Sequence, residues 1–159
     1  MRKRLALAVL AGSCSLAEAA PASEDRVVHV ASTDKAMQAA IKQAQQTLPG
    51  FLVLAANPPA GTEGYRLKVE MSDPNGSEHF WVAPFKIVRG GFLGVIANEP
   101  QIVKNVKLGQ VVQFKRARIS DWGYVRNGRQ VGSFTVCVLM TKVPQAEADR
   151  YRREFGFDC

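Results

Sequence analysis

The chain has 159 residues and a formal net charge of +7 at neutral pH, with 21 basic side chains against 14 acidic ones. This length suits a single domain with its own core. The positive charge favours anionic partners, such as lipid headgroups, cell-wall polymers or an acidic protein. Nucleic acid is not an expected partner, because the basic residues are scattered along the chain.

The N-terminus has the pattern of an export signal. Arg2-Lys3-Arg4 precedes an apolar run at residues 5–12, which has signal-peptide length and is too short to span a bilayer. The small residues of Ala17-Glu18-Ala19 provide a cleavage site. We therefore expect residues 1–19 to be a signal peptide that is removed, and the mature protein to be periplasmic or secreted.

The mature chain then comprises residues 20–159, a single domain with a net charge of +5. The alternative is a lipoprotein acylated at Cys14. Such sites usually carry a large aliphatic residue where this chain has Ala11, so a cleaved signal without a lipid is favoured. No other stretch is long and apolar enough to predict a membrane span.

Two cysteines, Cys137 and Cys159, remain in the mature chain. An even pair in an oxidising compartment predicts a disulfide between them. The alternative is a buried Cys137 with a free Cys159. Two separated histidines without a cysteine cluster do not match the usual zinc spacings, so neither a metal nor another cofactor is expected.

The first part of the domain predicts a strand followed by a helix. Residues 26–32 are a β-branched run, typical of a strand. Apolar residues then recur at helical spacing, after a cap at Ser32 or Thr33 and before Pro49-Gly50, which is expected to end the helix. This apolar stripe consists of Met37, Ala40, Ile41, Ala44 and Leu48. Residues 51–59 predict an edge strand or an extended segment.

From Tyr65 onwards the hydrophobic period changes to two, which predicts strands. These strands are expected at residues 65–73, 78–88, 92–98 and 111–119. Trp122–Arg126 and Arg129–Thr135 then flank Asn127-Gly128, a pair suited to a two-residue hairpin turn.

The last part of the chain predicts one more strand and a helix. The apolar run at residues 134–140 is expected to complete the sheet, and residues 144–156 are expected to form the closing helix. The predicted fold class is therefore α+β: a curved antiparallel sheet of about five or six strands, with an N-terminal amphipathic helix and a short C-terminal helix.

Five short motifs follow one another along this domain. They are residues 78–82, 94–100, Leu108-Gly109, 119–122 and 127–135. In this order and spacing they resemble the bacterial YegJ-like domain of unknown function (DUF2314), and the likeness covers roughly residues 34–140. The resemblance implies a small bacterial protein, often exported, with an α+β domain. It implies no established activity.

Two stretches supply candidate binding residues. His79 and Trp81 share one side of their predicted strand, opposite Glu78. The Asp121-Trp122 pair combines a carboxylate acceptor with a stacking ring. The favoured interpretation of this pair is nevertheless structural, with the carboxylate accepting backbone N–H groups and the ring filling the core, because a tryptophan buries a large apolar area. The predicted ligand-binding set is His79, Trp81, Asp121, Trp122, Tyr124 and Arg126.

Three functions fit these residues. The favoured one is a non-enzymatic module that binds an envelope protein or polymer, because the sequence carries no nucleophile elbow and no phosphate loop. The first alternative is a small hydrolase or transferase, with His79 as general base and a carboxylate as its partner. The second alternative is an immunity-type inhibitor of a periplasmic toxin.

Overall fold

A computed structural model describes residues 34–159. The expected signal peptide at residues 1–19, with Cys14, lies outside the described residues. The same holds for the expected strand at 26–32. What the sequence predicts for those residues therefore stays a prediction.

The described residues form three α-helices and six strands. In chain order they are α1 Lys35–Ala56, β1 Thr62–Asp73, β2 Gly76–Val88, β3 Gly91–Ile96, β4 Val111–Phe114, β5 Ile119–Arg126, β6 Arg129–Gly132, α2 Phe134–Met140 and α3 Gln145–Phe155. A 3-10 turn at Arg116–Arg118 separates β4 from β5. The strand predicted at residues 111–119 is therefore shorter than expected.

The six strands form one open antiparallel sheet in the order β4-β3-β2-β1-β5-β6. Strand β1 lies near the centre, where Leu67 pairs with Val82 of β2 on one side and with Trp122 of β5 on the other. Because side chains alternate along a strand, this row shares one face of the sheet. The predicted α+β class with an antiparallel sheet is confirmed.

Helix α1 covers that face and forms the core with it. The core includes Ala44, Leu48, Phe51, Leu67, Val69, Phe80, Val82 and Trp122. The helix begins behind Asp34, whose side chain accepts a hydrogen bond from the backbone N–H of Met37 at 2.9 Å. Asp34 therefore supplies the cap, in the manner typical of helix N-termini, and the prediction of a cap at Ser32 or Thr33 is wrong.

The predicted end of the first helix at Pro49-Gly50 is wrong. Helix α1 continues through both residues to Ala56. A proline inside a helix removes one hydrogen bond and costs about 3 kcal/mol or more. Apolar residues continue the stripe beyond it, with Phe51 only 2% exposed and Leu52 packed against the core, so burial on the sheet offsets this cost. The predicted edge strand at 51–59 is therefore mostly helix.

The prediction that residues 134–140 complete the sheet is also wrong, since they form helix α2. Ser133 has a left-handed φ of 56°, which ends strand β6 before this run. The first N–H groups of the helix, on Phe134 and Thr135, donate to the carboxylate of Asp121 at 3.2 and 2.8 Å. A short apolar run does not distinguish a strand from a buried helix, and this cap selects the helix.

Three predictions near the C-terminus are confirmed. Asn127-Gly128 joins β5 to β6, with φ angles of 49° and 77° that suit a two-residue hairpin turn. Helix α3 ends at Gly156, whose φ of 74° is the left-handed cap conformation. The disulfide Cys137–Cys159 is present and ties α2 to the last residue of the chain.

Helices α2 and α3 form a small second cluster beside the sheet. Its buried residues are Met140, Ala148 and Phe157. The backbone after α3 also reaches the sheet, where the carbonyl of Gly156 accepts from the N–H of Gln130 in β6 at 2.9 Å. Across residues 34–159, no helix has the length and apolar character needed to cross a membrane.

Candidate binding surface

The six residues predicted to bind a ligand do not share one accessible surface. Three are buried, with exposed fractions of 0% for Asp121, 7% for Trp122 and 2% for Tyr124. The others reach solvent: His79 and Arg126 are exposed and Trp81 is half-buried. The six residues therefore do not form the common surface that was predicted. The two aromatic residues of β5 lie two positions apart, so both side chains point to the face that α1 covers.

Trp122 and Tyr124 pack inside the core. The ring of Phe51 in α1 stacks on Trp122 with centroids 4.8 Å apart, and Tyr65 stacks on Tyr124 at 4.9 Å. The indole Nε1 of Trp122 donates to the carbonyl oxygen of Ala44 at 3.0 Å. Both rings therefore join the sheet to α1, which is the structural interpretation given above for Trp122.

Asp121 joins β5 to α2. Its Oδ1 accepts from the N–H groups of Trp122 at 2.8 Å and Phe134 at 3.2 Å. Its Oδ2 accepts from the N–H and the hydroxyl of Thr135, at 2.8 and 2.6 Å. Burial raises the pKa of Asp121 above its ordinary value, although these hydrogen bonds and the charge of Lys68 act to lower it.

The face of the sheet opposite α1 carries a different cluster. It consists of Arg66 and Lys68 of β1 with His79 and Trp81 of β2, and we call it the basic–aromatic face. Lys68 and Trp81 are direct cross-strand partners. The guanidinium carbon of Arg66 lies 4.8 Å, and the ammonium of Lys68 5.5 Å, from the centroid of the Trp81 ring. Such cation–π contacts contribute roughly 0.5–2 kcal/mol each.

Arg66 is held in place from several sides. Its Nη1 donates to the carbonyl of Gly64 at 3.2 Å, and its Nη2 donates to Gln130 at 2.6 Å and to Ser133 at 3.2 Å. Gly123 makes this possible, because a Cβ there would lie 2.6 Å from Ser133 Oγ and 3.1 Å from Arg66 Nη2. The guanidinium is therefore fixed over the ring before any ligand arrives.

Lys68 is more lightly bound than Arg66. Its Nζ donates to the hydroxyl of Thr135 at 3.1 Å, and that hydroxyl donates in turn to Asp121. Burial lowers the pKa of Lys68 and that of Arg66, and the nearby charge of Asp121 opposes both shifts. An ammonium has three donors, so Lys68 retains capacity to bind an acceptor.

His79 is oriented by a serine. Its Nδ1 lies 2.9 Å from Ser120 Oγ, which also lies 3.3 Å from the carbonyl oxygen of Lys68. The hydroxyl has one proton, which goes either to that carbonyl or to Nδ1 of His79, and the tautomer of the ring decides which of the two receives it.

Among residues 34–159, no carboxylate hydrogen-bonds to the His79 ring, whose partner is the hydroxyl of Ser120. The cross-strand partner of His79, Glu70, directs its carboxylate to Arg118, at 3.2 Å. The two best-formed cavities among the described residues lie elsewhere, one around Gly128 and Phe157 and one around Gly61. Within residues 34–159, no group of three or more His, Cys, Asp or Glu side chains is arranged to hold a metal ion.

Arg66 and Lys68 were missing from the predicted site. The alternation that begins at Tyr65 does indicate that both side chains face away from the core. It does not indicate which strand lies beside β1, and only the pairing with β2 brings the two cations to Trp81. The residues of the cluster are therefore divided between two strands, and neither strand alone has a sequence pattern that indicates a site.

Comparison with known proteins agrees with this fold. The family described as "Uncharacterized protein conserved in bacteria (DUF2314)" matches residues 34–159. The chain is 36% identical to the uncharacterized protein YegJ of Escherichia coli K12 over 118 residues, which is 74% of this chain and 76% of YegJ. It is 31% identical over 81 residues to a putative ankyrin repeat protein of Neisseria meningitidis serogroup B, covering 51% of this chain but only 32% of that protein.

No solved structure matches the chain. The family match extends from the start of α1 to the last residue, and so includes the disulfide that joins α2 to the C-terminus. The chain belongs to the DUF2314 family of uncharacterised bacterial proteins.

Proposed function

We propose that the protein is an exported, non-enzymatic binding module that contacts a protein or polymer of the bacterial envelope through the basic–aromatic face. The observation that carries this proposal is the half-buried ring of Trp81, with the cations of Arg66 and Lys68 over it. Tryptophan and arginine are the side chains most enriched among residues that dominate the binding energy of protein interfaces.

The proposed export rests on two features. The basic and apolar pattern of residues 1–19 is that of a signal peptide. The disulfide between Cys137 and Cys159 suits an oxidising compartment, because such bonds persist there and are rare in the cytosol.

Binding is preferred to catalysis because His79 hydrogen-bonds to a hydroxyl and not to a carboxylate. A hydrolase or transferase would need an acid to orient that ring and a pocket to hold a substrate. The immunity-type inhibitor stays a prediction, since no contact among the described residues favours it over another binding protein.

The first experiment tests whether the protein is exported and where its signal peptide is cleaved. The N-terminus of protein from a periplasmic extract is determined by mass spectrometry, and Ala20 is the expected first residue. Immobilised mature protein is then tested for retention of envelope proteins and cell-wall sacculi from the same bacterium. Trp81→Ala is expected to weaken retention about tenfold or more, because a central interface tryptophan is typically worth over 1.4 kcal/mol.

Phe155→Ala is the matched control. Phe155 is an aromatic residue of α3 that is 50% exposed and lies outside the basic–aromatic face. It should leave retention unchanged. Equal retention by the wild type and Trp81→Ala would contradict binding through this face, and a chain that starts at Met1 in the cytosol would contradict export.

A further inference from the structure

We infer that the basic–aromatic face receives a carboxylate from an acidic segment of a partner protein. This inference rests on the proposed function and adds the chemistry of the partner. The carboxylate would bind the free donors of Lys68 and lie against the edge of the Trp81 ring, next to the guanidinium of Arg66.

Charge complementarity supports an anionic occupant. Arg66 and Lys68 lie together on one face, and no carboxylate bonds to either of them within residues 34–159. Asp121 is the acid whose charge acts on both cations, but it is 0% exposed and its oxygens accept hydrogen bonds from Trp122, the start of α2 and Thr135. The positive charge on the face is therefore not neutralised by a direct ion pair.

Partial burial strengthens the same argument. The two cations have already lost part of their hydration on folding. Binding a partner's carboxylate would therefore cost less additional desolvation free energy at these two groups. Arg66 is also fixed by three hydrogen bonds, which reduces the conformational entropy lost on binding.

The shape of the site favours a polypeptide over a small ligand or a glycan. Small molecules bind in concave pockets, and the two best-formed cavities among the described residues lie away from Trp81. A sugar would need free ring area for stacking, whereas two cations already lie over the Trp81 ring. Glutamate and aspartate side chains reach a flat sheet face from an extended segment.

Poly-L-glutamate is the probe, and amide and indole chemical shifts of the mature protein are the measurement. The expected result is that shift changes concentrate at Arg66, Lys68, His79 and the Trp81 indole. Lys68→Gln is expected to raise the dissociation constant at least about tenfold, because a hydrogen bond to a charged group is worth about 1.5–3 kcal/mol. Lys42→Gln on the exposed side of α1 removes the same charge and should leave binding unchanged.

The dispersion of the free spectrum shows whether Lys68→Gln folds, and Trp81→Leu serves as a second variant if it does not. Shift changes that centre on the arginines of α3, that spread over all basic residues, or that persist in both folded variants would overturn the inference. Tighter binding of polygalacturonate than of poly-L-glutamate at the same residues would also overturn it. Loss of envelope binding in Trp81→Ala together with any of these results would leave the proposed function standing and reject only the acidic partner.

Discussion

His79 has an environment that lowers its pKa. The main cause is partial desolvation of the ring against the sheet, although the side chain still reaches solvent; the charge of Lys68 lowers the pKa further, and Glu70 acts in the opposite direction. The unfolded chain therefore binds this proton more readily than the folded protein does. As the pH falls from the ordinary value of 6.5 towards the folded pKa, this group lowers the free energy of unfolding.

We predict that His79 titrates below 6.5 in the folded protein. Lys68→Gln should raise its pKa because a positive charge is removed, and Glu70→Gln should lower it because a negative charge is removed. The measurement is the chemical shift of the imidazole ring protons as a function of pH. Lys42→Gln, on the other side of the molecule, is the control and should leave the titration unchanged. A wild-type pKa above 6.5, or a fall in Lys68→Gln, would show that this description of the face is wrong.

Single residues were predictable where one strand decides their environment. The alternation in β2 correctly separates His79 and Trp81 from Glu78, which is 8% exposed and accepts N–H groups from the loop after β3. In β5 both alternating rows carried attractive binding residues, and composition did not reveal which row faces α1. Trp122 was therefore assigned to a surface and to the core as alternatives, and its indole contacts the helix.

Helix α2 shows how one distant residue fixes the type of an element. The run from Phe134 to Met140 has the composition of a strand, with two valines and a threonine. Asp121 lies 13 residues before its first N–H donor, and its carboxylate binds the first turn of the helix. The deciding interaction is thus a tertiary one between β5 and α2.

We predict that Asp121→Asn lowers the free energy of unfolding by about 1–3 kcal/mol, the usual cost of leaving a buried donor unsatisfied. The amide NH₂ of asparagine would replace one oxygen that now accepts from Thr135, so the N–H of that residue would lose its acceptor. Urea unfolding measures the change. Asp158→Asn alters an exposed carboxylate that pairs with Arg129, and it should stay within about 0.5 kcal/mol of the wild type. Equal effects in the two variants would show that Asp121 is not a structural cap.

Helix α1 shows that a local helix-stop signal can be overridden by tertiary packing. Pro49-Gly50 is a strong stop signal, and the hydrophobic stripe before it was predicted correctly, with Ala40, Ala44 and Leu48 all buried. The local sequence does not show that Phe51 packs between Trp122 and Phe85, because these two residues lie far from Phe51 in the sequence. Tertiary packing therefore extends the helix beyond its local terminator.

For the whole molecule, the sequence predicted which segments form strands better than it predicted which strands pair with one another. Period-two runs identified most strands, and the turn at Asn127-Gly128 identified one pairing. The position of β1 between β2 and β5 could not be predicted, because the residues that pair between β1 and β5 are 50 to 64 positions apart and the pairing includes bulges. That pairing brings Lys68 between Trp81 and Asp121, and so creates both the basic–aromatic face and its buried support.

The C-terminal lobe of α2 and α3 has a much smaller core than the sheet. Its core consists of three buried residues. The disulfide Cys137–Cys159 links two positions of this lobe that are 22 residues apart in the sequence. A crosslink of this span contributes roughly 3 kcal/mol by restricting the unfolded chain. The lobe should therefore depend on the disulfide more strongly than the sheet does.

We predict that the double variant Cys137→Ala/Cys159→Ala loses roughly 3 kcal/mol in free energy of unfolding. Hydrogen exchange should show the loss of protection first in α3 and much less in β1 and β2, because the sheet keeps its own core with α1. Wild-type protein in reductant is the control, and its exchange pattern should match that of the variant. An equal loss of protection in β1 and α3 would show that the molecule unfolds as one unit and that the disulfide stabilises the sheet as much as the lobe.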